Sequence, residues 1–159
     1  MTKIAGYHHV TLLVRDIAEA RQFYGEVLGL TPIDRPSLPG FPEGAFYRCG
    51  DLQLHLTAWP TVKAPASPID LPPPVLPGVS FQVWDRHLAF QTEDIWVTYE
   101  RLKDAGVDIV QAPRRLDGQA ADAGDVGQTL INAWYTMYRM IPIFCRDPSG
   151  NLIEIVPVR

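Results

Sequence analysis

The chain is short of cysteine, of positive charge and of long apolar runs, and each shortage closes off a class of protein. Two cysteines, Cys49 and Cys145, in 159 residues leave no disulfide framework of the kind that staples small secreted folds. Each falls just before a turn near the end of an expected strand, which suits buried thiols in a reducing compartment. Against 18 acidic residues stand 14 basic ones, a net charge of −4, and Arg114-Arg115 is the only adjacent basic pair. With no basic field, nucleic acid is not an expected partner. No apolar stretch is long enough to span a bilayer, and the start, Met1 to Gly6, has no signal-like apolar core. The expected location is therefore the cytoplasm, with no membrane partner.

Proline, by contrast, is concentrated. Seven of the 15 fall from Pro60 to Pro77, which excludes helix or central strand there and leaves an extended connector. On either side of it the sequence repeats. His8-His9-Val10-Thr11-Leu12-Leu13-Val14-Arg15-Asp16-Ile17 aligns with Arg86-His87-Leu88-Ala89-Phe90-Gln91-Thr92-Glu93-Asp94-Ile95 at a constant offset of 78. His9 matches His87, Asp16 matches Asp94 and Ile17 matches Ile95, so two copies of one unit are implied.

In the first copy, His8 to Val14 is β-branched and apolar enough for a strand. Alternation puts Tyr7, His9, Thr11 and Leu13 on one face and His8 on the other. Asp16 reads as a helix N-cap with Glu19 completing a capping box; Ile17, Ala20, Tyr24, Val27 and Leu28 then recur at helical spacing up to Gly29. Strands are expected from Leu30 toward Pro36, from Ala45 to Cys49 and from Leu52 to Thr57, the last two joined by a Gly50-Asp51 turn. The second copy predicts a strand from Arg86 to Gln91, a cap at Thr92 or Asp94, a helix to Ala105 and a strand from Asp108 to Ala112. Closing strands, Ile141 to Arg146 and Leu152 to Val156, flank the turn Asp147-Pro148-Ser149-Gly150-Asn151. Residues 113–139 read as an insertion, with helical spacing at Leu130, Ala133, Trp134, Met137 and Tyr138.

The expected architecture is an α+β fold of two β-α-β-β-β modules, their curved sheets forming a shared concave cleft with the helices outside. Residues 1–159 form one domain on this reading: module one spans about 5–58, the linker about 59–84 and module two about 85–159.

Four polar residues interrupt the apolar alternation at matching points. His9 and His87 lie in the first strands of the modules; His55, in Leu54-His55-Leu56, and Glu154, in Ile153-Glu154-Ile155, lie in the last. Three imidazoles and one carboxylate suit one divalent metal ion, whether Fe, Ni, Mn, Co or Zn. A lone strand histidine is more often structural, but the repeat puts these four at symmetric positions. Gln53 shares the His55 face and Gln91 the His87 face, and each could orient substrate or equally fill the wet margin of a sheet; Arg48 could meet an acidic substrate, although an exposed strand arginine is the commoner case. His8, which has no counterpart at Arg86, reads as structural.

The segments His9-Val10-Thr11-Leu12 through Asp16 and Phe23-Tyr24-Gly25-Glu26-Val27-Leu28-Gly29-Leu30 resemble the opening of vicinal oxygen chelate superfamily proteins. His87-Leu88-Ala89-Phe90, Asp94, Ala105-Gly106-Val107 and Arg146-Asp147-Pro148-Ser149-Gly150-Asn151-Leu152-Ile153-Glu154 resemble its second module. This superfamily includes glyoxalase I, epimerases, extradiol dioxygenases, fosfomycin-resistance transferases and metal-free bleomycin binders. The resemblance implies metal ligands at His9, His55, His87 and Glu154, a small-molecule substrate with vicinal oxygens, and a homodimer. It also implies an enediolate or oxyanion stabilised by the metal in a lyase- or isomerase-like reaction. Glyoxalase I usually has a carboxylate where His55 stands, so His55 is either a fourth ligand or a general acid/base. In the second case His9, His87 and Glu154 form the set associated with Fe(II) and ring-cleaving dioxygenases. A metal-free binding or resistance protein is the third possibility.

Overall fold

A computed structural model describes residues 4–37, 39–59, 86–115 and 137–158. The proline-rich connector and most of the 113–139 insertion lie outside the described residues. Of the expected extra helix, only residues 137 and 138 are described, and both are helical.

The chain divides into two compact units, Met1–Ala64 and Pro65–Arg159. In the first, strand β1 (His9–Val14) is followed by helix α1 (Ile17–Arg21), which widens into a π-helical turn over Gln22–Val27. Strands β2 (Thr31–Ile33), β3 (Gly44–Cys49) and β4 (Leu52–Ala58) complete it. The Asp16 carboxylate accepts from the backbone N–H of Ala18 and Glu19, the expected N-cap, and satisfies two donors that the first turn cannot use. Gly29 ends the helix in the left-handed region (φ 74°), where a Cβ would be strained. The sheet order is β1-β4-β3-β2, with β1 and β4 parallel and the other pairs antiparallel.

The second unit repeats this plan. Strand β5 (His87–Thr92) leads to helix α2 (Ile95–Asp104), capped by the Asp94 carboxylate through the N–H groups of Trp96 and Val97. Asp94, and not Thr92, is the cap. After β6 (Asp108–Gln111) come β9 (Ile143–Arg146) and β10 (Leu152–Pro157), and the sheet order β5-β10-β9-β6 copies that of the first unit. The expected strand from Ile141 to Arg146 is broken at Pro142, which has no N–H for a ladder. Ahead of the break, β8 (Met140–Ile141) leaves the main sheet and pairs with β7 (Arg114–Arg115), a ribbon that the sequence pattern did not suggest.

In the first unit α1 packs on β3 and β4, and Val14, Ile17, Ala20, Phe23, Tyr24, Ala45, Tyr47, Leu54 and Leu56 are buried. Removing a side chain the size of buried Leu56 would cost about 2–5 kcal/mol. In the second, α2 buries Ile95 and Leu102 and packs on β10. Strand β4 alternates between buried and half-buried residues, whereas Leu152 through Val156 of β10 are all buried. The open face of β4 is therefore accessible, and the matching face of β10 is enclosed. Among the described residues no helix is long and apolar enough to cross a membrane.

Candidate functional site

Cross-strand neighbours share a face, so the register shows which side chains stand together. In the first unit His9 is opposite Gln53 and Thr11 opposite His55, while across the hairpin Phe46 is opposite His55 and Arg48 opposite Gln53. These residues form the face of the sheet away from Leu54 and Leu56. In the second unit His87 is opposite Leu152 and Ala89 opposite Glu154, with Phe144 across from Glu154. The two units are thus register-equivalent: His9 corresponds to His87, His55 to Glu154, Phe46 to Phe144 and Gln53 to Leu152.

The side chains pair within each unit. His55 lies between two rings, His9 at 4.3 Å and 11° on one side and Phe46 at 3.5 Å and 5° on the other. Its Nε2 is 2.9 Å from the Gln53 Oε1. Partial burial, then the neighbouring His9 and His8, push the His55 imidazole below its usual pKa, because each disfavours a further positive charge. In the second unit His87 Nε2 and Glu154 Oε2 are 3.1 Å apart, and the Phe144 ring meets His87 edge-on at 5.8 Å. Glu154 is only 9% exposed, an enclosed carboxylate with an imidazole as partner.

These distances bear on metal binding. The 3.1 Å between His87 Nε2 and Glu154 Oε2 is that of a direct hydrogen bond, and it is also close to the about 3 Å that separates neighbouring ligands on a six-coordinate ion with bonds of about 2.1 Å. Among the described residues no three His, Cys, Asp or Glu side chains converge as a ready cluster. The described arrangement is two pairs of donors, one in each unit.

His8 departs from the sequence expectation. It precedes β1 rather than starting it, it is exposed, and its Nδ1 lies 2.9 Å from the His9 Nδ1 with the rings edge-on. At the frayed start of a strand, alternation no longer dictates direction, and the ring swings to its neighbour. Gln91 and Arg48 are exposed on the faces that carry His87 and His55, whereas Gln53 is engaged by His55. The sequence reading overlooked Phe46. A two-residue Gly50-Asp51 turn sets Cys49 opposite Leu52, and counting back three pairs from there puts Phe46 opposite His55. Of the two thiols, both unpaired, Cys145 is buried and Cys49 only half-buried.

Two β-α-β-β-β units, each with a polar donor in its first and last strands, define a duplicated α+β fold. The chain belongs to the glyoxalase/bleomycin resistance protein/dioxygenase superfamily, whose family model matches residues 6–155. It is 29% identical over 152 residues to glyoxylase I 4 of Arabidopsis thaliana, covering 96% of this chain and 70% of that protein. The fold is similar to that of lactoylglutathione lyase from Agrobacterium tumefaciens (TM-score 0.54, 21% identity, 98% of this chain and 95% of that one). It is also similar to that of a fosfomycin resistance protein from Listeria monocytogenes (TM-score 0.61, 18% identity, 99% and 94%).

Proposed function

We propose that this chain is a metal-dependent enzyme of lyase or isomerase type, acting on a small substrate with neighbouring oxygens. Its metal donors are His9, His55, His87 and Glu154. The observation that carries this is the register equivalence of His9/His55 with His87/Glu154, polar side chains held at the same two points of both sheets. A bound divalent cation would polarise a substrate oxygen and hold the negative charge that develops on it. Glu154 supplies the anionic donor, its position fixed by burial and by His87. His55, its pKa held below the usual value by partial burial and by the neighbouring His9 and His8, favours the neutral imidazole that a metal donor must be. Arg48 and Gln91, exposed beside these groups, orient the substrate. The relatives named glyoxylase I and lactoylglutathione lyase favour lyase chemistry. The same reading has the chain working as a cytoplasmic homodimer, and its two free thiols suit a reducing compartment.

One observation favours a second reading. With Gln53 holding its Nε2, His55 can stand aside as an acid/base and leave His9, His87 and Glu154 as a two-histidine, one-carboxylate set for Fe(II) and ring cleavage.

Metal analysis of protein purified without chelators, followed by titration with Ni(II), Co(II), Mn(II), Zn(II) and anaerobic Fe(II), tests both. A protein with no bound metal and no affinity for any of these would sink both enzyme readings in favour of a metal-free binding protein. Oxygen uptake by the Fe(II)-loaded protein with catechols would select the dioxygenase.

A further inference from the structure

The ring stack around His55 fixes the plane of its imidazole but not which edge points where. A half-turn about the Cβ–Cγ bond keeps the ring between His9 and Phe46 while exchanging Nδ1 with Cδ2 and Nε2 with Cε1. The stack is equally blind to the tautomer. A neutral imidazole carries its proton on one nitrogen and its lone pair on the other, and only the lone pair can bind a metal or accept a proton.

The Gln53 carboxamide makes that choice. Its Oε1, 2.9 Å from His55 Nε2, can only accept, so with the carboxamide in this orientation the imidazole proton is on Nε2. The lone pair is then on Nδ1. Gln53 is placed for this by the chain itself: two residues before His55 on β4, it shares the same face.

Comparison of the two units supports a dedicated role. The register position of Gln53 is filled in the second unit by Leu152, which has no hydrogen-bonding group. The partner of Leu152 two residues on is Glu154, whose ionised carboxylate has two equivalent oxygens and no tautomer to select. The amide thus stands two residues before the imidazole of β4 and is missing two residues before the carboxylate of β10.

We infer that Gln53 is a positioning residue: it holds His55 as the Nε2–H tautomer, so that His55 acts through Nδ1. The choice of Nδ1 as the working atom deepens the metal-dependent function proposed above and rests on it; the tautomer itself does not.

The test is nitrogen-15 NMR of the imidazoles in the metal-free protein at a pH where His55 is neutral, followed by titration with diamagnetic Zn(II). The wild type should show a pyridine-type Nδ1 and a protonated Nε2 for His55. Gln53→Leu should give a mixture of tautomers, and Gln53→Glu, which keeps an acceptor, should restore the single form. On adding Zn(II), the His55 Nδ1 resonance should move while Nε2 stays protonated, and Gln53→Leu should weaken binding about 10–100-fold, with Gln53→Glu recovering it. A protonated Nδ1 in the wild type, as when the amide NH2 faces the ring, overturns the assignment. So does a tautomer ratio that Gln53→Leu leaves unchanged, or Zn(II) binding at Nε2. Zn(II) silence at all the histidines, with tautomer selection intact, would instead sink the metal-dependent function and leave the role of Gln53 standing.

Discussion

Glu154 Oε2 lies 3.1 Å from His87 Nε2 across the parallel pair β5 and β10, a direct hydrogen bond between two of the proposed metal donors. His87→Ala and Glu154→Ala should each weaken Ni(II) or Co(II) binding by more than the roughly 10–100-fold expected on removing an outer partner. The far-ultraviolet circular dichroism spectrum should be unchanged, because neither side chain belongs to the apolar core. Calorimetric titration checks this, and unchanged affinity in both variants would remove the pair from the donor set.

His8 contacts His9 through their Nδ1 atoms, so on the proposed donor set it touches a donor from outside that set. His8→Ala should keep metal binding with a loss of roughly tenfold, while His9→Ala should show a much larger one. Equal losses in the same titration would mean that alternation has been assigned one residue out of step.

Burial, reinforced by Asp147 and Asp108, pushes the Cys145 thiol up to about 12 from 9.0. The unfolded chain loses this proton first. The associated stability is therefore present below pH 9 and is lost as pH rises from there through about 12. A Cys145→Ala variant, compared with wild type by melting temperature against pH, should lack this alkaline component. At pH 8 a thiol reagent should label Cys49 in the native protein and Cys145 only after unfolding.

Asp16 and Asp94 cap equivalent helices through two N–H groups each. Either change to alanine should destabilise by about 1 kcal/mol. In a chain of this length that lowers the melting temperature by roughly 2–4 °C. A loss confined to one variant would show that only one helix depends on its cap.

Much of this arrangement is legible in the sequence. Asp16 announced the first helix, because an acidic side chain ahead of an apolar period has a specific use for two backbone donors; the second start was narrowed to Thr92 or Asp94, and the structure chose Asp94. The Gly50-Asp51 turn set the β3–β4 register, from which Phe46 opposite His55 followed but was overlooked. Where the expectation failed, the cause was local. Pro142 could not continue a ladder, and Ile141 therefore paired with the Arg114 strand. His8 lay just outside the strand whose alternation was used to orient it.

The sequence by itself determined that the fold is a duplication, that Asp16 starts the first helix, and which polar residues interrupt each strand, since periodicity and capping are properties of neighbours along the chain. Only the tertiary structure decided how those residues meet. The parallel pairing of β1 with β4 and of β5 with β10 brings together side chains 46 and 67 positions apart, His9 with His55 and His87 with Glu154. It also decided that Gln53 turns to His55 and that Glu154 is enclosed while His55 remains accessible, because hydrogen-bond partners and burial depend on what the rest of the fold brings alongside.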